Sequence, residues 1–217
     1  MLFKYLSKKK EEKPETGGIK NIIFDVGQVL VDYDWETYLD SFGFEPAKRE
    51  RIAKATFQSP VWDERDRGLY EEDVYLKQFQ ELDPEDAEDI EKVIRGTGGT
   101  IHKRPYADTW VKYLKSKGYH VYILSNYSSY MLDHTKKELT FRREMDGEVF
   151  SCYAKQLKPD AEIYQTILNK YQLKPEECVF IDDRPENCRG AQEQGIHIIC
   201  FKDFKQVTAD LEKLGVK

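Results

Sequence analysis

Three short apolar runs, far apart in the chain, each stop on a polar or acidic residue. Ile22–Phe24 leads into Asp25, Val121–Leu124 into Ser125 and Asn126, and Cys178–Ile181 into Asp182 and Asp183. Runs this short and this apolar, without alternation, suit strands covered on both faces. Between and after them lie segments with helical punctuation. Pro105 can open a helix in which Ala107, Val111 and Leu114 share a face and Gly118 marks the stop. A helix is expected over roughly 128–139. Asp160 is placed to cap another that carries Ile163 and Ile167. A further helix near 186–194 ends at Gly195, the strand IHIIC follows, and a last helix aligns Val207, Leu211 and Leu214. Strand–helix alternation of this kind predicts an α/β fold: a mostly parallel sheet with helices on both faces.

Residues 34–100 do not fit that alternation. Leu39, Phe42, Ile52, Phe57, Val74, Leu76, Phe79, Ile90, Val93 and Ile94 are spread at helical spacings among charges, and the stretch closes on the GTGG run at 96–99. The expected organisation is therefore a core of residues 20–33 and 101–217 with an inserted helical domain at 34–100. Residues 1–19 are expected to be a flexible tail, because Lys8, Lys9, Lys10, Glu11, Glu12 and Lys13 precede Pro14 and Gly17–Gly18. Leu2, Phe3, Tyr5 and Leu6 ahead of those lysines leave a membrane or partner anchor as the alternative reading.

Composition narrows the function classes. The chain of 217 residues is 40% hydrophobic with 11 Phe, 14 Tyr and 3 Trp, enough for a large core. Its net charge of -6 disfavours a general nucleic-acid binder, which needs a basic surface. No run approaches 18 apolar residues, so no membrane span is expected, and the first residues lack the long apolar run of a signal peptide. Cys152, Cys178, Cys188 and Cys200 form no CxxC pair and read as reduced thiols, which points to the cytoplasm. Oligomeric state is not legible in the sequence.

The chemistry follows from the strand ends. Parallel strands present their C-terminal ends along one edge, so Asp25, Ser125, Asn126, Asp182 and Asp183 can converge there. Lys158, in KPD ahead of a helix, can join them. Carboxylates, a hydroxyl, an amide and an ammonium make up the composition of a magnesium-assisted phosphate site. Hard Mg²⁺ wants oxygen ligands, and a cation explains why clustered carboxylates are tolerated. In this reading Asp25 is both metal ligand and nucleophile, forming an aspartyl-phosphate that water later cleaves. The Gly27 carbonyl and Asp183 complete the protein's metal ligands. Asp182, turned the other way by strand alternation, orients a neighbour. Ser125, Asn126 and Lys158 hold phosphoryl oxygens.

The pieces IIFDVGQVLVDYD, YILSN, LKPDAEIY and VFIDDRPENCRGA resemble those of the haloacid-dehalogenase-like hydrolases, a group dominated by phosphatases. The likeness leans towards the branch that holds bacterial glucose-1-phosphate phosphatase and the N-terminal phosphatase domain of soluble epoxide hydrolase. WDERDRGLYEEDVY, from Trp62 to Tyr75, resembles the insert of that branch. The resemblance implies a Rossmann-like three-layer core, a helical cap, Mg²⁺ as cofactor, and hydrolysis of a small phosphorylated metabolite, a sugar phosphate among the options. The cap should select the substrate, with Trp35, Trp62, Arg65, Arg67 and Tyr70 offering stacking surfaces and positive charge. One departure stands out. The family pattern DxDGT places a proton-donating Asp where this chain has Gly27. Asp32 and Asp34 are nearby substitutes, although Asp34 is also placed to cap a helix. Asn187 stands where a further family acid often sits and can hydrogen-bond a water or carboxylate. The departure keeps open a weakly active or non-catalytic binding or regulatory protein, and a metal-independent haloacid dehalogenase.

Overall fold

The computed structural model describes residues 18–217, so the tail and its apolar alternative lie largely outside the described residues. In chain order the elements are β1 (Asn21–Phe24), β2 (Val31–Tyr33), α1 (Trp35–Asp40), α2 (Pro46–Ala55), α3 (Pro60–Arg67), α4 (Glu72–Leu82), α5 (Ala87–Arg95) and β3 (Ile101–Lys103). There follow α6 (Ala107–Ser116), β4 (His120–Ser125), α7 (Ser129–His134), β5 (Gly147–Phe150), α8 (Ser151–Ala154), α9 (Ala161–Tyr171), β6 (Cys178–Asp182), α10 (Pro185–Glu193), β7 (His197–Cys200) and α11 (Phe204–Lys213). Five strands form one parallel sheet in the order β5-β4-β1-β6-β7. The fold is α/β.

β1 is the centre of that sheet because its side chains are apolar on both faces. Ile22 and Phe24 point into a layer with Trp110, Val111 and Leu114 of α6 and with Val207 and Leu211 of α11. Ile23 points the other way, into a layer with Ile163, Tyr164 and Ile167 of α9 and Ala191 of α10. Two-faced burial removes the alternation a half-exposed strand would show. Phe24 and Trp110 meet edge to face, with ring centroids 4.9 Å apart.

β2 and β3 are a separate antiparallel pair, Val31 opposite Lys103 and Tyr33 opposite Ile101. They carry the chain out to the inserted helices and back. Those helices have their own apolar centre of Leu39, Ile52, Tyr75, Phe79, Ile90, Val93 and Ile94. Asp34 caps α1, its carboxylate accepting from the Thr37 N–H.

Two local expectations need correction, and one strand was missed. The helix expected over 128–139 is only the six-residue α7, because Thr135 turns its hydroxyl back to the Met131 carbonyl and the chain leaves as turns. Asp160 stands at the N-cap of α9 but makes no capping hydrogen bond with its side chain. β5 was not legible: it opens on Gly147 and Glu148, without an apolar run. It pairs in parallel with β4, and its first residue is glycine where a Cβ would lie 2.2 Å from the Tyr171 ring that crosses the strand. The Tyr171 hydroxyl then bonds both the N–H and the carbonyl of Glu148.

Candidate active site

The C-terminal edge of β1, β4 and β6 brings Asp25, Ser125 and Asp182 to one place. Lys158 enters from the loop before α9, and its ammonium lies 2.8 Å from Asp25 Oδ1 and 2.6 Å from Asp182 Oδ2. Its side chain is 1% exposed, so this is a fully buried ion triad. Asn126 fixes the lysine's position. Its Nδ2 donates to the Lys158 carbonyl at 3.0 Å, and its Oδ1 accepts from the Lys158 N–H at 2.9 Å. The Asn126 side chain thus serves Lys158, while the residue also lines the cavity.

Asp182 is wholly buried and turned into the protein. Besides Lys158 it accepts from the Arg184 N–H at 2.9 Å and from Asn187 Nδ2 at 3.0 and 3.1 Å. Asp183 is half-buried and faces the cavity. Burial pushes the Asp25 carboxyl up to about 6. The Lys158 ammonium works against that, and the neighbouring charges of Asp182 and Asp183 with it. Burial and the Asp182 charge likewise raise Asp183. For Lys158, burial disfavours the charge, but Asp182 and Asp25 outweigh it and hold the ammonium above the ordinary lysine range.

One lysine therefore does not satisfy three carboxylates. Single oxygens of Asp25, Asp182 and Asp183 all lie within 4.8 Å of one another. Asn187 Oδ1 is buried against the same cavity without a partner. An all-oxygen donor set carrying surplus negative charge fits a hard divalent cation such as Mg²⁺. Gly27 stands beside Asp25, and a Cβ there would meet nothing nearer than Asp25 Oδ2 at 4.0 Å. Room for a side chain exists at that position, and the chain leaves it empty.

These groups form the floor of a cavity of about 360 Å³. Gln28, Tyr33, Phe57, Trp62, Asp63, Asp66, Tyr127, Ser128, Met131 and Arg184 also line it. Tyr33 stacks on Trp62 at 6.1 Å, and Phe57 leans on Trp62 at 5.0 Å, giving one aromatic wall. Of the five substrate-contact candidates from the inserted helices, Trp62 alone lines this cavity. Trp35 stacks on Phe57 at 5.2 Å within the helices. Arg65 is 1% exposed, paired with Glu72 at 2.6 Å and packed against Trp62 and Tyr130. Arg67 pairs with Glu64 and Asp160, and Tyr70 is exposed. Sequence reasoning missed Asp63 and Asp66. The signal available was spacing: Asp66 is four residues after Trp62 and three after Asp63, which puts all three along one side of α3. Of the two proposed stand-ins for the absent acid, Asp32 pairs with Arg104 at 2.8 Å and Asp34 is the α1 cap. Neither lines the cavity.

The description haloacid dehalogenase-like hydrolase matches residues 19–195. The chain belongs to that family. It is 25% identical to flavin mononucleotide hydrolase 1 of Arabidopsis thaliana over 195 residues, 90% of this chain and 77% of that one. It is 25% identical to the sesquiterpene phosphatase of Aspergillus oryzae over 196 residues, 90% of this chain and 96% of that one. A family enzyme from Bacteroides thetaiotaomicron, solved with magnesium and inorganic phosphate, shares the fold with a TM-score of 0.68 at 22% identity, covering 88% of this chain and 99% of its own. The chain is a hydrolase of that family. Among the described residues no helix is long and apolar enough to cross a membrane.

Proposed function

We propose that this chain is a Mg²⁺-dependent phosphomonoesterase that works through an aspartyl-phosphate on Asp25. The observation that carries the reading is the buried Lys158 bridging Asp25 and Asp182, with Asp183 beside them on a cavity floor that also holds Ser125. Asp25, the Gly27 carbonyl and Asp183 would hold the ion, which when bound draws charge from the phosphoryl oxygens. One Asp25 oxygen attacks phosphorus, and the bond to the leaving oxygen breaks. Lys158 and the Ser125 hydroxyl hold the equatorial oxygens, where charge is spread in the transition state. Asp182 and Asn126 act by fixing Lys158, through its ammonium and its backbone respectively.

Residues 34–100 serve as a cap over this floor, supported by the separate apolar centre of the helices and the antiparallel β2–β3 connection. The substrate is a small phosphorylated metabolite. Tyr33, Phe57, Trp62 and Met131 offer flat apolar surface to the group carrying the phosphate, and a sugar ring is among the shapes that fit. Four free cysteines, three of them buried, support a reducing compartment such as the cytoplasm.

The test is phosphate release across a panel of phosphorylated metabolites, with Mg²⁺ and again with EDTA, in the wild type and Asp25→Asn. Release abolished by both controls supports the reading. No metal-dependent release from any substrate turns the assignment to a binding protein. Chloride release from 2-haloacids without metal turns it to a dehalogenase.

A further inference from the structure

We propose that Asp66, on α3, is the proton donor to the leaving oxygen, the role that Gly27 leaves vacant. This rests on the phosphatase reading above. Four observations converge on Asp66.

First, it lines the same cavity as Asp25, Ser125 and Lys158, although it comes from the inserted helices. Second, its backbone is tied to the loop that follows β4. Its carbonyl accepts from the Ser151 hydroxyl at 2.6 Å, and that hydroxyl in turn accepts from the Tyr127 N–H at 2.9 Å. Third, the chain just beyond it is pressed onto the core. A Cβ at Gly68 would lie 2.9 Å from Cys152 Cβ, and Gly68 takes a φ of 70° to turn there. The Lys155 ammonium reaches the Gly68 carbonyl. Asp66 is thus positioned by α8, whose Ser151 also holds the Tyr127 N–H two residues beyond Ser125.

Fourth, its surroundings raise its affinity for a proton. Burial is the largest influence, and together with the charges of Asp63 and Asp25 it raises the carboxyl to about 7, against the opposing pull of Arg65 and the Ser128 N–H. The other titratable groups around it are Tyr33 on β2, Tyr127 before α7 and Cys152 on α8, all neutral at that pH with their own values raised, chiefly by burial. A bound phosphate ester adds negative charge to the cavity, which favours the protonated form further.

The remaining polar groups of the cavity do not offer a proton as readily. The Lys158 ammonium is held between two carboxylates. The Tyr127 hydroxyl is engaged with Thr135 at 2.9 Å, and the Tyr33 phenol is held well above its usual value. Arg184 pairs with Glu186, and Asp63 is exposed near the Arg184 guanidinium.

The chemistry balances over the two steps. Asp25 attacks phosphorus, the bond to the leaving oxygen breaks, and that oxygen takes the electron pair together with the Asp66 proton, departing as a neutral alcohol. A water then attacks the phosphorus of the aspartyl-phosphate and gives its proton to Asp66. The Asp25 oxygen leaves as carboxylate, phosphate departs, and Asp66 is protonated again. A general acid of this kind is worth about 10²–10⁴-fold on a poor leaving group and little on a good one.

The experiment compares an alkyl phosphate with p-nitrophenyl phosphate, both with Mg²⁺, in the wild type, Asp66→Asn and the surface control Glu64→Gln. Asn keeps the size and neutrality of the protonated carboxyl, and far-ultraviolet circular dichroism checks folding. The expected result is a loss of about 10²–10³-fold in kcat on the alkyl phosphate, less than about tenfold on p-nitrophenyl phosphate, and no change in Glu64→Gln. The wild-type rate on the alkyl phosphate falls as pH rises through Asp66's titration, and Asp66→Asn loses that limb. Equal losses on both substrates, or none, overturn the proposal. Should Asp66→Asn fail to fold, carbon-13 titration of the wild-type Asp66 carboxyl decides: a midpoint in the ordinary carboxylate range overturns it, and a raised one supports it. No release from either substrate by the wild type rejects the phosphatase reading itself, and the proton-donor role with it.

Discussion

At the C-terminal edge of the sheet, Asp25, Asp182 and Lys158 are buried together, and the two carboxylates stand at the ends of β1 and β6, each paired with a strand on both sides. In the inserted helices much of the charge stays at the surface as ion pairs, such as Arg95 with Glu91 at 2.7 Å and Lys54 with Glu50 at 2.6 Å. The apolar centre beneath them is built from side chains such as Leu39, Phe79 and Val93. The contrast separates two tasks. A site that must hold a phosphoryl group needs charges fixed in advance, and strand ends locked to neighbouring strands provide that rigidity. A wall that must fit one leaving group among many needs side chains that can change without disturbing the charges. Trp62, Phe57 and Asp66 stand on that side of the cavity, each carried by the inserted segment. Sheet residues should therefore set whether the chain reacts, and inserted residues should set with what.

The sharpest break of that division is Asp25→Asn. Loss of phosphate release on the order of 10⁴-fold or more is expected, the scale of removing a nucleophile, with the fold retained. An equally large loss from any aromatic residue of the inserted helices would erase the distinction. Next comes Lys158→Met. It removes the cation that both Asp25 and Asp182 contact, and roughly 10²–10³-fold in kcat should go with it. Thermal unfolding of this variant without Mg²⁺ should also shift downward, because two buried carboxylates lose their partner.

Phe79→Ala tests whether the helices hold together by their own apolar centre. Phe79 is fully buried there, and about 3–5 kcal/mol of stability should be lost. If the helices are a separate unit, calorimetry should show this loss in a transition apart from that of the sheet; a single transition shifted as a whole would make the two regions one cooperative body. Trp62→Ala is the mildest. A rise in KM of about tenfold with kcat nearly unchanged is expected, because a wall residue binds substrate and transition state alike.

How much of this was legible in the sequence follows the same division. β1, β4 and β6 were readable because burial on both faces makes a strand apolar without interruption, and their polar ends mark the sheet's edge. Lys158 was readable only as a member of that set, since nothing local says that a loop lysine turns inward. The inserted helices were readable as helices but not by face. Arg65 and Asp66 are neighbours in α3, yet Arg65 turns into the helices towards Glu72 while Asp66 lines the cavity. Both are charged residues in a charged helix. Which of them meets the site depends on where α3 packs against α8, a contact made by residues far apart in the chain. Asn126 shows the same dependence on distant packing. Its place after a strand suggests a phosphate ligand, and its pairing with the Lys158 backbone becomes visible only once that loop is in place.

The most direct test of the account is to trap the covalent enzyme. Wild-type protein is mixed with a phosphorylated substrate and Mg²⁺, quenched in acid within milliseconds, digested, and read by mass spectrometry. The account predicts one phosphoryl group on Asp25, labile to hydroxylamine as an acyl phosphate is, and absent when EDTA is present. Phosphate release that proceeds at full rate while Asp25 stays unmodified, or a phosphoryl group found on another residue, would contradict it.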